Sequence, residues 1–482
     1  MPTLTPIPKL PRFEPSECQF YPPRISRVEC GYLLVPEDRS REDSPIIRMH
    51  VAIARSFNDD PLPDPLVYLS GGPGSHSLDF FYGNLGNYTD VREYRDVIFF
   101  DPRGVGYSIP SLDCPEVVDS FHETLDLKES SEEWVDRNLE ANIRCLERLK
   151  NAGISLDAYN SAEMAADVND LREALGYETM NLFGVSYGTR TALTVMRDFP
   201  ETLRSVVLDS VVPLELDLLG TDAISADQSL NLVFERCAEE RRCSEAFPDL
   251  ETTLGELFEQ LDSNPIIVQV SHLFTNETYD VLVNGEVLGA SVVEALYYYE
   301  TLIYLPKLIY ETRFAEDESF ETLATSLEIY LLYGDYSSEG MRHAVLCSDE
   351  GTFSTLESAL DKTMNVHPAI AGYFQRDVEM IFRICEAWGA KVADPIENRP
   401  VKGDIPTLVL AGEFDPVTPP EWGQLVADTL DDAYFVKFPG LGHYVFSELR
   451  CPRWIFAAFL EDPDKVPDTS CVDTIQFNFM TR

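Results

Sequence analysis

Three short, almost unbroken apolar runs, each cut off by a Gly- or Asp-rich turn, constrain this chain more than any other feature. They are Pro65-Leu66-Val67-Tyr68-Leu69 before Ser70-Gly71-Gly72-Pro73-Gly74, Val97-Ile98-Phe99-Phe100 before Asp101-Pro102-Arg103-Gly104-Val105-Gly106, and Met180-Asn181-Leu182-Phe183 before Gly184-Val185-Ser186-Tyr187-Gly188. A run without polar alternation suits a strand covered on both faces, as parallel strands are. Helical patterns lie between the runs, over Ser130 to Lys150 and Ser161 to Leu175, the second stopped by Gly176. Strand and helix in alternation predict an α/β fold with a mostly parallel, doubly wound sheet. Upstream, Cys30 to Pro36 and Ile46 to Ala54 alternate like half-buried strands and are expected as an antiparallel edge. The run from Ser205 to Val212 extends the sheet, and the pattern then stops until Ile405 to Gly412 and Ala433 to Phe438, with a last helix from about Pro452 to Leu460.

The interval reads as helices over Ala226 to Glu240, Thr253 to Leu261, Gly285 to Tyr299, Ser319 to Leu332 and Gly372 to Ala387. A length of 482 residues fits one sheet domain with a large insertion. The expected division is a Pro-rich N-terminal extension (1–29), a first part of the core (30–213), a mainly helical cap insertion (214–400) and a C-terminal part of the core (401–482).

Gly184-Val185-Ser186-Tyr187-Gly188 falls where a strand meets a helix, the setting in which small residues let the backbone turn sharply and present a Ser side chain. A hydroxyl needs a base to take its proton and a carboxylate to orient that base. Asp415, in Gly412-Glu413-Phe414-Asp415-Pro416-Val417-Thr418, and His443, in Pro439-Gly440-Leu441-Gly442-His443, follow in that order, each in the turn after a core strand. Ligands gather at such strand ends in open α/β sheets. Glu413 is the near competitor for the acid and Asp209 a more distant one, while the other six histidines, His76 included, read as surface or packing. The amides of Gly72 and Tyr187 are expected to hold an oxyanion. A phosphate-binding reading of the glycine loop ranks below, because the Lys and Ser/Thr of a P-loop are missing.

The 83 Asp+Glu against 37 Lys+Arg give a net charge of −46, a surface that repels nucleic-acid phosphates and anionic membranes. No uninterrupted apolar stretch reaches membrane-spanning length, so no membrane insertion is expected. Ten cysteines fall as neighbours, Cys18/Cys30, Cys114/Cys145, Cys237/Cys243, Cys347/Cys385 and Cys451/Cys471, with no C-x-x-C pair and hence no zinc or thioredoxin signature. They read either as short-range disulfides of a secreted or extracytoplasmic protein or as ten buried thiols; disulfides are the favoured reading, with sequential pairing the simplest connectivity. The Pro-rich start lacks a charged-then-apolar leader, so export implies a signal peptide already removed.

With Gly-Gly-Pro-Gly, Asp101-Pro-Arg-Gly-Val-Gly-Tyr-Ser108, Gly-Val-Ser-Tyr-Gly-Thr and Gly-Glu-Phe-Asp-Pro-Val-Thr-Pro in this order, the chain resembles the proline iminopeptidase and tripeptidyl aminopeptidase group of α/β-hydrolase fold proteins over about Cys30 to Cys471. The resemblance implies Ser186 as nucleophile, Asp415 and His443 as its partners, and Gly72 with Tyr187 as oxyanion donors. Ser70 stands where proline iminopeptidases usually carry His, which argues against that narrow activity. The expectation is a serine hydrolase releasing amino-terminal residues or short peptides, with a carboxylesterase on the same triad as the alternative; an inactive hydrolase fold serving recognition is disfavoured by the complete triad. An exopeptidase needs an anion for the substrate's α-ammonium group. Asp349, Glu350 and Glu300 are the candidates, near Tyr297-Tyr298-Tyr299. The expected partner is a peptide or small ester substrate, with no metal and no organic cofactor, since the triad itself supplies nucleophile, base and charge stabilisation; no oligomeric state follows from the sequence.

Overall fold

The computed structural model describes residues 10–20, 27–79, 81–315, 320–332 and 334–481. Among the described residues the eleven strands are β1 (Arg12–Ser16), β2 (Val28–Pro36), β3 (Ile46–Ala54), β4 (Leu66–Leu69), β5 (Val97–Phe100), β6 (Met180–Val185), β7 (Leu203–Asp209), β8 (Ile266–Ser271), β9 (Thr278–Val283), β10 (Thr407–Gly412) and β11 (Ala433–Phe438). Nine of them form one sheet in the order β1-β2-β3-β5-β4-β6-β7-β10-β11. The pairs from β5 to β11 are parallel, and β1, β2 and β3 add an antiparallel flank. The apolar runs of the sequence are the central strands: every residue of β5, β6 and β10 is buried. Two clusters cover the two faces, one around Leu182, Val206 and Val409, the other around Phe99, Phe183, Leu408 and Phe456.

Ten helices suffice to place the site: α1 (Ser131–Asn151), α2 (Ser161–Leu175), α3 (Tyr187–Asp198), α4 (Thr221–Glu239), α5 (Leu250–Ser263), α6 (Gly285–Tyr297), α7 (Glu321–Tyr330), α8 (Glu339–Val345), α9 (Pro368–Trp388) and α10 (Arg450–Glu461). Local sequence sets their ends. Ser130 and Glu133 close a capping box on α1, while Asn160 caps α2 and Gly176, at φ 80°, ends it in the left-handed region.

Two expectations need correction. The segment 1–29 is not wholly outside the core, because β1 pairs with β2 from Arg12↔Leu34 to Ser16↔Cys30. Pro15 is tolerated there because β1 is the outermost strand. Residues 1–9 of that segment lie outside the described residues, as does Ser319, the first residue of an expected helix. The stretch between β7 and β10 is also not all helix: β8 and β9 form an antiparallel hairpin inside it. Although almost two hundred residues apart in sequence, β7 and β10 are neighbours in the sheet, with Val206 opposite Thr407. What lies between them has its own apolar core, including Leu230, Leu254, Val292, Leu296 and Leu327.

All ten cysteines pair with their sequence neighbours, Cys18 to Cys30, Cys114 to Cys145, Cys237 to Cys243, Cys347 to Cys385 and Cys451 to Cys471. Among the described residues no helix is long and apolar enough to cross a membrane.

Candidate active site

Ser186 sits between the last residue of β6 and the first of α3 with φ 54° and ψ −127°, a backbone state that costs a non-glycine residue about 1–3 kcal/mol. Its glycine neighbours make that turn possible. A Cβ on Gly184 would lie 2.6 Å from the Gly188 carbonyl oxygen, and one on Gly188 would lie 2.2 Å from that of Leu69. The Ser186 amide donates to the Asp209 carbonyl at 3.0 Å, tying the turn to the end of β7. The glycine loop after β4 presses on the serine, since a Cβ on Gly71 would lie 2.8 Å from Ser186 Cβ. Gly72 follows at φ 107° and lines the same cleft as Ser186. Tyr187 opens α3, so its amide has no acceptor within the helix.

Asp415 and His443 stand in the turns after β10 and β11. The Asp415 carboxylate is 2.9 and 3.0 Å from His443 Nδ1 through its two oxygens. It also accepts from the amides of Val417 and Thr418 at 3.0 and 2.8 Å and from the Thr418 hydroxyl at 2.8 Å. Burial would raise its pKa, but the facing imidazole and these donors outweigh burial and hold it below the ordinary 3.8. Burial likewise works against a charged His443, yet the Asp415 charge and hydrogen bond carry its pKa above the ordinary 6.5. Among the described residues neither Ser186 Oγ nor His443 Nε2 is engaged in a hydrogen bond, not even with each other, although both line one cleft.

The competing acids are occupied elsewhere. Glu413 accepts from the Gly440 amide at 2.9 Å and pairs with Arg236. Asp209 accepts from the amides of Val445 and Phe446 at 3.2 and 2.9 Å, and Ser210 Oγ from that of Tyr444 at 2.9 Å, so the end of β7 fixes the turn that carries His443. Thr418, Asp209 and Ser210 escaped the sequence reading as supports. Only Thr418 left a signal, an Asp followed three residues later by Thr, the spacing of a side-chain-closed turn.

The three carboxylates expected for the α-ammonium group do not line this cleft. Asp349 is buried with its oxygens on the Ser161 amide at 2.8 Å and the Ser348 hydroxyl at 2.6 Å. Glu350 is buried against Arg190 Nε at 3.1 Å and the Tyr187 hydroxyl at 3.2 Å. Glu300 is exposed, beside Glu448, whose pKa rises to about 8 through burial and then through that neighbour. Of the tyrosines named with them, Tyr297 and Tyr298 do line the cleft. So does His76, expected as surface or packing; its ring nitrogens meet Asp79 at 2.8 Å and Ser338 at 3.3 Å, and its pKa rises to about 9 because Asp113 and Asp79 override the cost of burial.

A different acidic group lies beside the cleft. Glu294, one turn before Tyr297 on α6, has a pKa pushed up to about 7 by burial, and among the described residues it has no hydrogen-bond or ion-pair partner. Asp222, at the start of α4, is pushed up to about 7 by burial and by Asp377 on α9. Glu339 on α8 is raised by burial, against the pull of Arg342, and its Oε2 makes no hydrogen bond. Tyr373 on α9 feels Asp377, Glu294 and Asp222, and Tyr297 feels both Glu294 and Asp415, which links this group to the His443 end of the cleft.

The resemblance suggested by the motifs holds beyond them. The chain is 24% identical to serine protease Hip1 of Mycobacterium tuberculosis over 442 residues, covering 86% of this chain and 81% of that one. It is 25% identical to a tripeptidyl aminopeptidase of Streptomyces lividans over 413 residues, 82% of this chain and 74% of the relative. A putative hydrolase of Escherichia coli, YuaR, is 31% identical over 194 residues, and this match spans 39% of the present chain and only 36% of that relative's length. Among solved structures, proline iminopeptidase from Mycobacterium smegmatis matches 90% of this chain and 98% of its own at 16% identity and a TM-score of 0.42. The family model described as the alpha/beta hydrolase fold matches residues 64–448, which take in the glycine loop, the Ser186 turn and the Asp415 and His443 turns together, so this chain belongs to the α/β-hydrolase fold family and is a hydrolase of the serine type.

Proposed function

We propose that this protein releases amino-terminal residues or short peptides from peptide substrates through an acyl-enzyme on Ser186. The observation that carries the reading is an acidic group behind Tyr297 of the cleft, the buried Glu339 with the half-buried Glu294, Asp222 and Asp377. Carboxylates gathered with little counter-charge favour a cation brought by the ligand, and an unblocked peptide carries one at its α-amino end. In this reading residues 214–400 cap the cleft and close it beyond the amino terminus.

His443 Nε2 takes the proton of Ser186 Oγ as the oxygen bonds to the scissile carbonyl carbon. The amides of Gly72 and Tyr187 receive the oxyanion. As the C–N bond breaks, the same proton passes from His443 to the leaving nitrogen, and Asp415 stabilises the imidazolium in between. Water then repeats the sequence on the ester and frees Ser186. Five disulfides support an extracytoplasmic site of action, since such bonds persist in oxidising compartments.

The test is kcat/KM for a peptide anilide with a free amino terminus and for its N-acetylated twin. Preferential turnover of the free-amino form supports the reading. Equal turnover of both, or cleavage of a p-nitrophenyl ester and neither anilide, replaces it with an endopeptidase or a carboxylesterase respectively.

A further inference from the structure

The two amides assigned to the oxyanion, those of Gly72 and Tyr187, are both tied to the inserted region. Such a donor works only when it is fixed to within about 0.5 Å of its place. Gly72 sits in a loop after a strand of only four residues, and within that loop the Ser75 amide reaches the Gly71 carbonyl at a long 3.3 Å. The closer bonds leave the loop. The Ser338 amide donates to the Gly74 carbonyl at 2.9 Å and the His76 amide to the Tyr336 carbonyl at 3.0 Å, which sets Ser75 opposite Ser337 as in an antiparallel ladder. The two backbones pass too close for a side chain between them, since a Cβ on Gly74 would lie 2.8 Å from the Ser338 carbonyl oxygen.

Side chains lock this crossing. Ser338 is fully buried, and its hydroxyl donates to the Asp113 carboxylate and accepts from the Gly106 amide at 3.3 Å. His76 Nε2 stands 3.3 Å from that hydroxyl and 3.4 Å from Asp113, while Nδ1 stands 2.8 Å from Asp79. Each ring nitrogen faces an acceptor, so the arrangement suits an imidazolium that donates on both sides. Tyr107 donates to the other oxygen of Asp79 at 2.8 Å.

From Ser338 the chain runs straight into α8 and then into a π-helical turn, Leu346–Glu350, which the Cys347–Cys385 disulfide ties to α9. That turn reaches the second donor. Glu350 accepts from the Tyr187 hydroxyl at 3.2 Å and pairs with Arg190 of the same helix, α3, and Asp349 accepts from the Ser161 amide that opens α2. Between the two ends, Met341 of α8 lines one small cavity together with Gly71, Pro73, Gly74 and Tyr187. One short stretch of chain thus touches both halves of the oxyanion hole.

We infer that the segment 336–350 is a brace that sets both oxyanion donors, with Ser338 and His76 as positioning residues for the Gly72 amide and Glu350 for the Tyr187 amide. The inserted region thereby acts on the chemical step, whether the leaving group is an amine or an alcohol. The inference rests on Ser186 being the reacting group, as in the proposed function, and not on the choice of substrate.

Neither the Ser338 nor the Tyr187 side chain lines the cleft, so each can be changed without touching a ligand there. The experiment measures kcat and KM of wild type, Ser338→Ala, Tyr187→Phe and the double variant on a p-nitrophenyl ester and a free-amino peptide anilide, with rates divided by the sites titrated with a fluorophosphonate. Losing an oxyanion donor costs about 10²–10³-fold in kcat, and displacing one costs part of that. The expected result is a kcat roughly tenfold lower in each single variant and lower still in the double one, on every substrate that wild type cleaves, with KM within about twofold of wild type. The dissociation constant of phenylboronic acid, whose tetrahedral adduct with Ser186 places an oxygen in the hole, should rise in step with the fall in kcat, which loss of folded protein alone does not produce. Wild-type kcat per titrated site in both variants, a loss carried by KM, or an unchanged boronate affinity overturns the inference and leaves Ser186 as nucleophile. Wild-type protein that neither turns over nor reacts with the fluorophosphonate overturns the reading of Ser186, and the brace with it.

Discussion

Asp415 after β10 is a buried carboxyl and Glu294 on α6 a half-buried one, and their surroundings send them in opposite directions. Asp415 meets an imidazole, two amides and a hydroxyl, and it is held ionised below 3.8. Glu294 meets none of these and rises to about 7. Burial penalises both charges equally in kind, so the difference lies in what each region places opposite the carboxyl. The sheet answers its acid from within the chain. In the inserted region Glu350 and Glu286 meet Arg190 and Arg376, whereas Glu294 meets no counter-charge among the described residues, which under the proposed function suits Asp415 to catalysis and Glu294 to recognition.

The contrast breaks most completely at the sheet. Ser186→Ala should lower kcat by roughly 10⁵–10⁶-fold and abolish fluorophosphonate labelling, with an unchanged melting temperature. Asp415→Asn should cost on the order of 10⁴-fold in kcat, because the carboxylate that orients and supports the imidazolium is gone. The pH profile sharpens that result. Free-enzyme kcat/KM requires neutral His443, so its acid limb should lie above the ordinary histidine value of 6.5 in wild type and move to lower pH in Asp415→Asn, where the raising charge is absent.

On the other side of the comparison, Glu294→Gln should lower kcat/KM for a free-amino anilide by about 10–100-fold and leave a p-nitrophenyl ester without an amino group almost unaffected. A loss shared by both substrates would place Glu294 in the fold instead of in recognition. The smallest effect is thermodynamic. Asp222 and Glu294 hold protons in the folded chain up to about pH 7 that the unfolded chain releases near pH 4. Their contribution is fully present below pH 4 and is lost as pH rises to 7, so the melting temperature should fall by a few degrees from pH 5 to pH 8. Asp222→Asn with Glu294→Gln should reduce that slope without abolishing it, because Asp101, Asp209 and Glu448 are raised as well, whereas added salt should act on the surface repulsion instead.

The sheet and the triad turns were legible because burial on both faces writes itself as an unbroken apolar run, and because glycines mark where a backbone must pass too close for a Cβ. Gly188 against Leu69 is such a place. The edge strand Arg12–Ser16 was hidden by Pro15, which reads as a loop unless the strand is known to be outermost. The acids expected to receive an α-ammonium group were misplaced for another reason. In a chain with 83 Asp+Glu nothing local distinguishes a carboxylate that will face Arg190, as Glu350 does, from one that meets no counter-charge among the described residues, as Glu294 does. That distinction belongs to helices brought together from distant parts of the chain.

The five disulfides neither cross nor nest, with separations of 12, 31, 6, 38 and 20 residues. As the chain emerges from its amino end, each bond can therefore close before the first cysteine of the next appears. Oxidation in order of synthesis is native oxidation, so a nascent chain threading into an oxidising compartment has little need of bond reshuffling by an isomerase. Each loop is short, and its closure trims the unfolded ensemble locally. Refolding of the fully reduced whole chain loses that ordering, because all ten thiols then compete at once.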